Sequence, residues 1–240
     1  MFETDAFSLI VLFVGLSLLP FVAMVATSYL KIVVVTSLIR NALGIQSIPP
    51  NMVLNALAMI LTFYIMAPVM GESWNIASAG LAKSRAVSAE VAKQPAPSPD
   101  AAAKAPAPRW FETDALSKAA EPFREFLSHH TSDRERAFFV NTAERLWAKD
   151  ENTPAVVDHE SFYILIPAFC VSELTKAFQI GFLVYLPFIA IDIIVSNILL
   201  AMGMMMVSPV TISLPFKLLL FVMVDGWTLL IQGLVRGYVI

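Results

Sequence analysis

Six ionisable residues stand widely spaced in the last eighty residues of the chain, a stretch otherwise almost wholly apolar: Glu173, Lys176, Asp192, Lys217, Asp225 and Arg236. An ionisable group in such surroundings is costly, and by default it marks a function or a paired interface. Glu173 and Lys176 are three residues apart and can pair on one helix face. Asp192 precedes Ser208 by 16 residues and Asp225 follows it by 17. In a helical hairpin bent at Ser208 both carboxyls would lie ~24 Å from the tip, at ~1.5 Å per residue. Two carboxyls at one depth can share a proton, as aspartic dyads do, and the chemistry would be peptide hydrolysis within a membrane. Asp225, however, sits in Val224-Asp-Gly-Trp227 rather than in a Gly-x-Gly-Asp setting. Structural pairing with Lys217, Lys176 or a neighbouring copy is therefore the leading reading, and an intramembrane aspartyl protease using Asp192 and Asp225 is the alternative.

Other chemistries have less support. His129, His130 and His159 fall in a polar segment, none at metal-ligand spacing with a partner. The sequence contains no His-Glu-x-x-His, no phosphate loop and no Gly-x-Ser-x-Gly. A single cysteine, Cys170, excludes an internal disulfide and a multi-cysteine metal site. No catalytic residue, metal or cofactor is expected, and a net charge of −3 offers no basic surface for nucleic acid.

The elements that must hold these residues are helices. With 58% hydrophobic and 15% charged residues and a mean hydropathy of +0.72, the 240-residue chain reads as an integral membrane protein. The region 1–71 carries two apolar runs. Phe7 to Leu30 is free of charge for 24 residues, with Pro20 expected to bend or break it. The helical pattern extends past Lys31 towards Arg40, and Gly44 and Pro49-Pro50 mark a connection. Asn51 is a good N-cap for a second run, which Pro68 and Gly71 are expected to end. The region 161–240 is a second hydrophobic hairpin. Its bend, 202–215, holds Met202, Met204, Met205 and Met206 around Gly203, followed by Pro209 and Pro215. Deformable thioethers there either fill gaps in a core or line a constriction; composition by itself favours the core.

Between the two hairpins lies a polar insert, 72–160, holding 11 of the 16 Lys/Arg and 14 of the 19 Asp/Glu. Its Ala/Pro-rich part, about 83–108, buries little apolar surface and reads as a mobile linker. A helical hairpin of about 113–149 follows: Leu116, Ala119, Ala120, Phe123 and Leu127 share one helix face. Ser132 and Glu135 form a capping box opening a helix with Phe138, Phe139, Leu146 and Trp147. The fold class is thus all-α, with four long hydrophobic helical segments in two helical hairpins and a polar, partly disordered helical insert. Two positive charges between Lys31 and Pro50, against Glu3 and Asp5 before the first run, put that loop in the cytoplasm and the N-terminus and insert outside.

Three stretches together resemble the FliP/SctR family, the first core subunit of the type III secretion export apparatus. The first is Thr27-Ser-Tyr-Leu-Lys-Ile-Val-Val-Val35, with Leu38-Ile-Arg-Asn-Ala-Leu-Gly44 and Pro49-Pro-Asn51. The second is Leu57-Ala-Met-Ile-Leu-Thr-Phe-Tyr-Ile-Met-Ala-Pro68. The third runs from Ile166-Pro-Ala-Phe169 through Ser172-Glu-Leu174, Tyr185-Leu-Pro-Phe188 and Met202-Gly-Met-Met-Met-Val207 to Asp225-Gly-Trp227. The resemblance implies a non-enzymatic pore subunit in the bacterial inner membrane, with the insert periplasmic. It implies a homo-oligomeric ring of about five copies, completed by FliQ/SctS-like and FliR/SctT-like subunits into a helical gate for unfolded secreted proteins, with much apolar surface against other subunits. The family's methionine gasket maps onto Met204, Met205 and Met206 beside Gly203. Glu173, Lys176, Asp192, Lys217 and Asp225 become buried charges that fix assembly. The acidic start, unlike the cleaved leader usual in flagellar members, points to the injectisome branch.

Overall fold

The computed structural model describes residues 6–45, 48–91, 113–148 and 157–239. They form eight helices: α1 (Ala6–Val25), α2 (Tyr29–Ala42), α3 (Asn51–Val91), α4 (Thr113–His130), α5 (Asp133–Leu146), α6 (Phe162–Ala201), α7 (Pro209–Met223) and α8 (Gly226–Arg236). No strand occurs among the described residues. Two helices, α3 over Asn51–Gly80 and α6 over Phe162–Ala201, are long and apolar enough to cross a membrane. Two bent pairs of helices reach that length together. Phe13–Val25 with Tyr29–Ala42 bends by 57°, and Pro209–Met223 with Gly226–Arg236 by 59°.

Prolines act differently from the sequence expectation. Pro68 lies inside α3, which continues through Gly71 to Val91, so neither residue ends the helix. Proline removes the bond to the Tyr64 carbonyl, but the turns on either side keep their own ladder, and an apolar helix has few other ways to satisfy its backbone. The helix therefore takes in residues 83–91 of the expected linker; residues 92–108 lie outside the described residues. Pro20 likewise sits inside α1, and the break comes later, at residues 26–28. Pro215 sits inside α7 rather than in the methionine bend, which shortens to 202–208. Pro209 takes the first turn of α7, where its missing N–H costs nothing.

The chain divides into two compact units, residues 1–65 with 130–240, and residues 66–129. In the first, α2 packs against α6, and α7 lies against α6 and α8. Its core is Ile32, Val35, Ile39 and Ala42 of α2 with Ala177, Phe188, Phe221, Leu230 and Leu234, joined by Ala58 of α3. The α2 contribution follows the 3–4 residue spacing of one helix face. Gly181 of α6 allows close approach there: a methyl group at that position would overlap the side chain of Leu38. A satellite core sets Val140 and Ala143 of α5 on Ile164 of α6. Phe138, Leu146 and Trp147 are exposed instead. In the second unit α4 buries Phe126 and Leu127, and Arg124 pairs with Glu121 at 2.7 Å.

At the start of α5 the expected capping box does not form, since the Ser132 side chain makes no cap hydrogen bond to the helix backbone. The Ser132 hydroxyl hydrogen-bonds the Glu135 carboxylate and holds its pKa below the ordinary glutamate value. The Ser132 amide donates to Ser172 Oγ of α6 at 2.9 Å, so Glu135 does not complete the reciprocal bond.

Candidate functional site: two buried charge clusters and a methionine tip

Glu173 is fully buried at the middle of the first cluster. Its Oε2 faces Lys31 Nζ of α2 at 3.0 Å, and its Oε1 faces Lys176 Nζ at 3.1 Å. The Tyr238 hydroxyl, just beyond α8, donates to Oε2. Lys31 Nζ also lies 3.6 Å from the centre of the Tyr238 ring, a cation–π contact. Lys176 donates to the His130 carbonyl at 2.7 Å, and the His130 ring leans on Tyr238 at 5.1 Å. One carboxylate thus joins α2, α6 and the end of the chain. The side chain of Lys31 is 4% exposed, that of Lys176 40%. Lys31 therefore depends on Glu173 for its counter-charge, whereas Lys176 reaches water.

The second cluster ties α6 to α7. Asp192 Oδ2 accepts from Lys217 Nζ at 2.6 Å, and Oδ1 accepts from Ser213 Oγ at 2.5 Å. Lys217 Nζ also donates to the Ala42 carbonyl at the end of α2, 3.2 Å away. Ser213 and Lys217 are four apart on one helix face, so a single acidic side chain meets both.

Of the charges singled out from the sequence, the structure joins Glu173 to Lys176 and Asp192 to Lys217. It does not bring Asp192 to Asp225. The observed register sets Asp192 level with Ser213 and Lys217, and Asp225 lies eight residues further on, about 12 Å of helix. The equal-depth expectation took Ser208 as the tip; the turn instead occupies 202–208, which moves the level of Asp192 towards the start of α7. Asp225 caps α8 in a left-handed conformation, φ 50°, and its carboxylate has no hydrogen bond or ion pair among the described residues.

Sequence reasoning missed Lys31, Tyr238 and Ser213 as members of these clusters. The helical pattern expected past Lys31 to Arg40 is helix α2, Tyr29–Ala42, so the Lys31 that the orientation argument counted as a loop charge is a buried helix partner. The orientation argument therefore keeps only Arg40 on that side. The criterion that singles out Glu173, an ionisable residue amid apolar neighbours, applies equally to Lys31 between Leu30 and Ile32. Ser213 and Tyr238 carry no comparable signal, because hydroxyls are common in apolar helices.

The methionines sit where α6 turns into α7. Gly203 has φ +70°, a conformation open to glycine, and lets the chain reverse directly after α6. Met204 is 48%, Met205 82% and Met206 101% exposed. They fill no core within this chain. Among the described residues no three His, Cys, Asp or Glu come together as a metal site.

Long apolar helices cross-linked by buried ion pairs, with flexible thioethers at a hairpin tip, define a helical protein of the membrane-spanning class. The chain belongs to the FliP family, whose model matches residues 12–234. It is 48% identical over 234 residues to the Yop proteins translocation protein R of Yersinia pestis, covering 98% of this chain and 97% of that protein. It is similar to the hypersensitivity response secretion protein HrcR of Ralstonia nicotianae, at 47% over 231 residues and 96% of each chain. The flagellar biosynthetic protein FliP of Pectobacterium carotovorum is 39% identical over 231 residues, 95% of this chain and 77% of that protein.

Proposed function

We propose that this chain is a membrane-embedded core subunit of a type III secretion export apparatus, of the injectisome branch, and acts as a passage for unfolded protein rather than as an enzyme. The observation that carries this is the match to the FliP family over residues 12–234, together with relatives named for translocation and secretion at 47–48% identity. The flagellar relative is more distant at 39%, which favours the injectisome branch. In this reading about five copies form a ring in the bacterial inner membrane, with the insert on the periplasmic side. FliQ/SctS-like and FliR/SctT-like subunits complete it. Met204, Met205 and Met206, on the Gly203 turn, form a deformable constriction: unbranched thioethers yield to a passing chain and close behind it. The exposure of all three in the single chain supports that role. Glu173, Lys176, Asp192 and Lys217 hold the helix frame that presents the tip. The protease alternative needs Asp192 and Asp225 to face one another, and Asp192 is already held by Ser213 and Lys217.

The test replaces Met204, Met205 and Met206 together by alanine in the assembled complex and records secretion and ion conductance. The expected outcome is a normal complex with raised ion leakage. An intact complex with no added leakage defeats the constriction. A chain that stays monomeric by native mass when the two smaller subunits are co-expressed defeats the ring.

A further inference from the structure

Arg40 and Asp225 line one cavity of about 380 Å³ without forming an ion pair with each other. Arg40 comes from the last turn of α2, Asp225 from the break between α7 and α8, and Trp227 and Thr228 line the cavity with them. The Arg40 guanidinium spends Nη1 on the Pro49 carbonyl and Asn51 Oδ1. Its Nε is buried without a hydrogen-bond partner. A guanidinium has five N–H donors, so Arg40 keeps donors for an oxyanion beyond these two acceptors. The exposed Asp225 carboxylate makes no cap hydrogen bond to α8 and no ion pair among the described residues.

Phe221 and Gly226 also wall a second cavity, of about 460 Å³. It runs along α6 and α8 and is lined by Ile180, Val184, Phe188, Leu230 and Leu234. A largely apolar chamber that holds one cationic and one anionic side chain therefore adjoins a second, apolar cavity. The chamber with the two charges lies at the end of α2, where the bent α1–α2 pair finishes its crossing length.

We propose that these adjoining cavities bind one phospholipid with an ammonium headgroup. Its phosphate lies on the Arg40 guanidinium, its primary ammonium on Asp225, and one acyl chain in the apolar cavity along α6 and α8. An ethanolamine phosphate carries its two opposite charges a pair of methylenes apart, which suits two side chains that share a chamber without touching. A purely anionic headgroup would leave Asp225 repelled, and a quaternary ammonium would give it no N–H. The site is independent of the export role proposed above.

The experiment uses the full chain, stripped of lipid in detergent and titrated with palmitoyl-oleoyl phosphatidylethanolamine, phosphatidylglycerol or phosphatidylcholine under native mass spectrometry. One phosphatidylethanolamine per chain is expected, held about tenfold more tightly than the other two, the factor one charge-assisted hydrogen bond supplies. Arg40→Gln should weaken all three lipids. Asp225→Asn should erase only the preference for phosphatidylethanolamine; asparagine tolerates the left-handed backbone, so this variant tests charge rather than folding. Circular dichroism checks that both variants keep their helices. Equal retention of the three lipids, or an unchanged preference in Asp225→Asn, overturns the proposal. Self-association of the stripped chain that Arg40→Gln or Asp225→Asn abolishes, and that phosphatidylethanolamine does not compete, also overturns it and makes the cavity an interface between copies.

Discussion

Replacing Glu173 by glutamine removes one charge and almost no volume. The carboxylate faces Lys31 at 3.0 Å, where the attraction at an effective dielectric of ~20 is about 5–6 kcal/mol. Most of that is offset by the cost of taking both ions out of water, so the intact pair adds little net stability. Breaking it is another matter. Glutamine still accepts from Tyr238, but Lys31, 4% exposed, keeps a charge with no counter-charge. Lys176, 40% exposed, turns to water and adds little to the loss. The expected destabilisation is about 3–5 kcal/mol. For a chain of this size each 1 kcal/mol moves the midpoint by about 2–4 °C, so Glu173→Gln should melt roughly 6–20 °C lower in detergent. Removing the whole cluster should be far milder. Glu173→Leu with Lys31→Met and Tyr238→Phe leaves no buried charge and no orphaned hydroxyl, and most of the loss should return. A Glu173→Gln midpoint equal to that of the unsubstituted protein refutes the reasoning. A triple variant as unstable as the single one does so too, since it would place the stability in packing rather than in charge balance.

At the second cluster the burial of the survivor decides the order. Asp192→Ala strands Lys217, whose side chain is 4% exposed, while Lys217→Met strands Asp192, which is 30% exposed. Asp192→Ala should therefore cost more, about 3–5 kcal/mol by thermal melting, and the reverse order would contradict the ion-pair account. Gly181→Ala should push α2 from α6 at Leu38 and cost about 1–3 kcal/mol. Leu38→Ala in the same chain should recover part of that loss, and strictly additive effects would mean the two sites do not touch. Glu135 has a folded pKa below its ordinary 4.5, with the Ser132 hydroxyl as the main cause. Its contribution is present above the unfolded pKa and fades as the pH falls through the lowered folded value. Ser132→Ala should flatten the acid limb of stability below pH ~4.5, and an unchanged limb would remove that bond from the account.

Much of the molecule is local and therefore readable from its residues. Apolar runs of membrane-crossing length become α3, α6 and the two bent pairs, and the family resemblance rests on contiguous stretches that carry their own signal. The methionine turn is also local, since Gly203 and the proline at the head of α7 stop one helix and start the next. Pro68 does not end its helix, Pro215 does not belong to the bend and Pro20 does not break α1, for an equally physical reason. A missing N–H interrupts one bond of a ladder, and whether the helix ends there depends on what else its backbone could bind. The charge clusters divide along the same line. Glu173 with Lys176 follows from a spacing of three on one helix. Lys31 and Tyr238 meet Glu173 only because α2 and the end of the chain both pack on α6, and Asp192 finds Ser213 and Lys217 rather than Asp225 because the 202–208 turn sets the register. Hydropathy and helical period act over a few residues and are written along the chain. Which buried charge finds which partner depends on how whole helices lie against one another, and that is decided only when they pack.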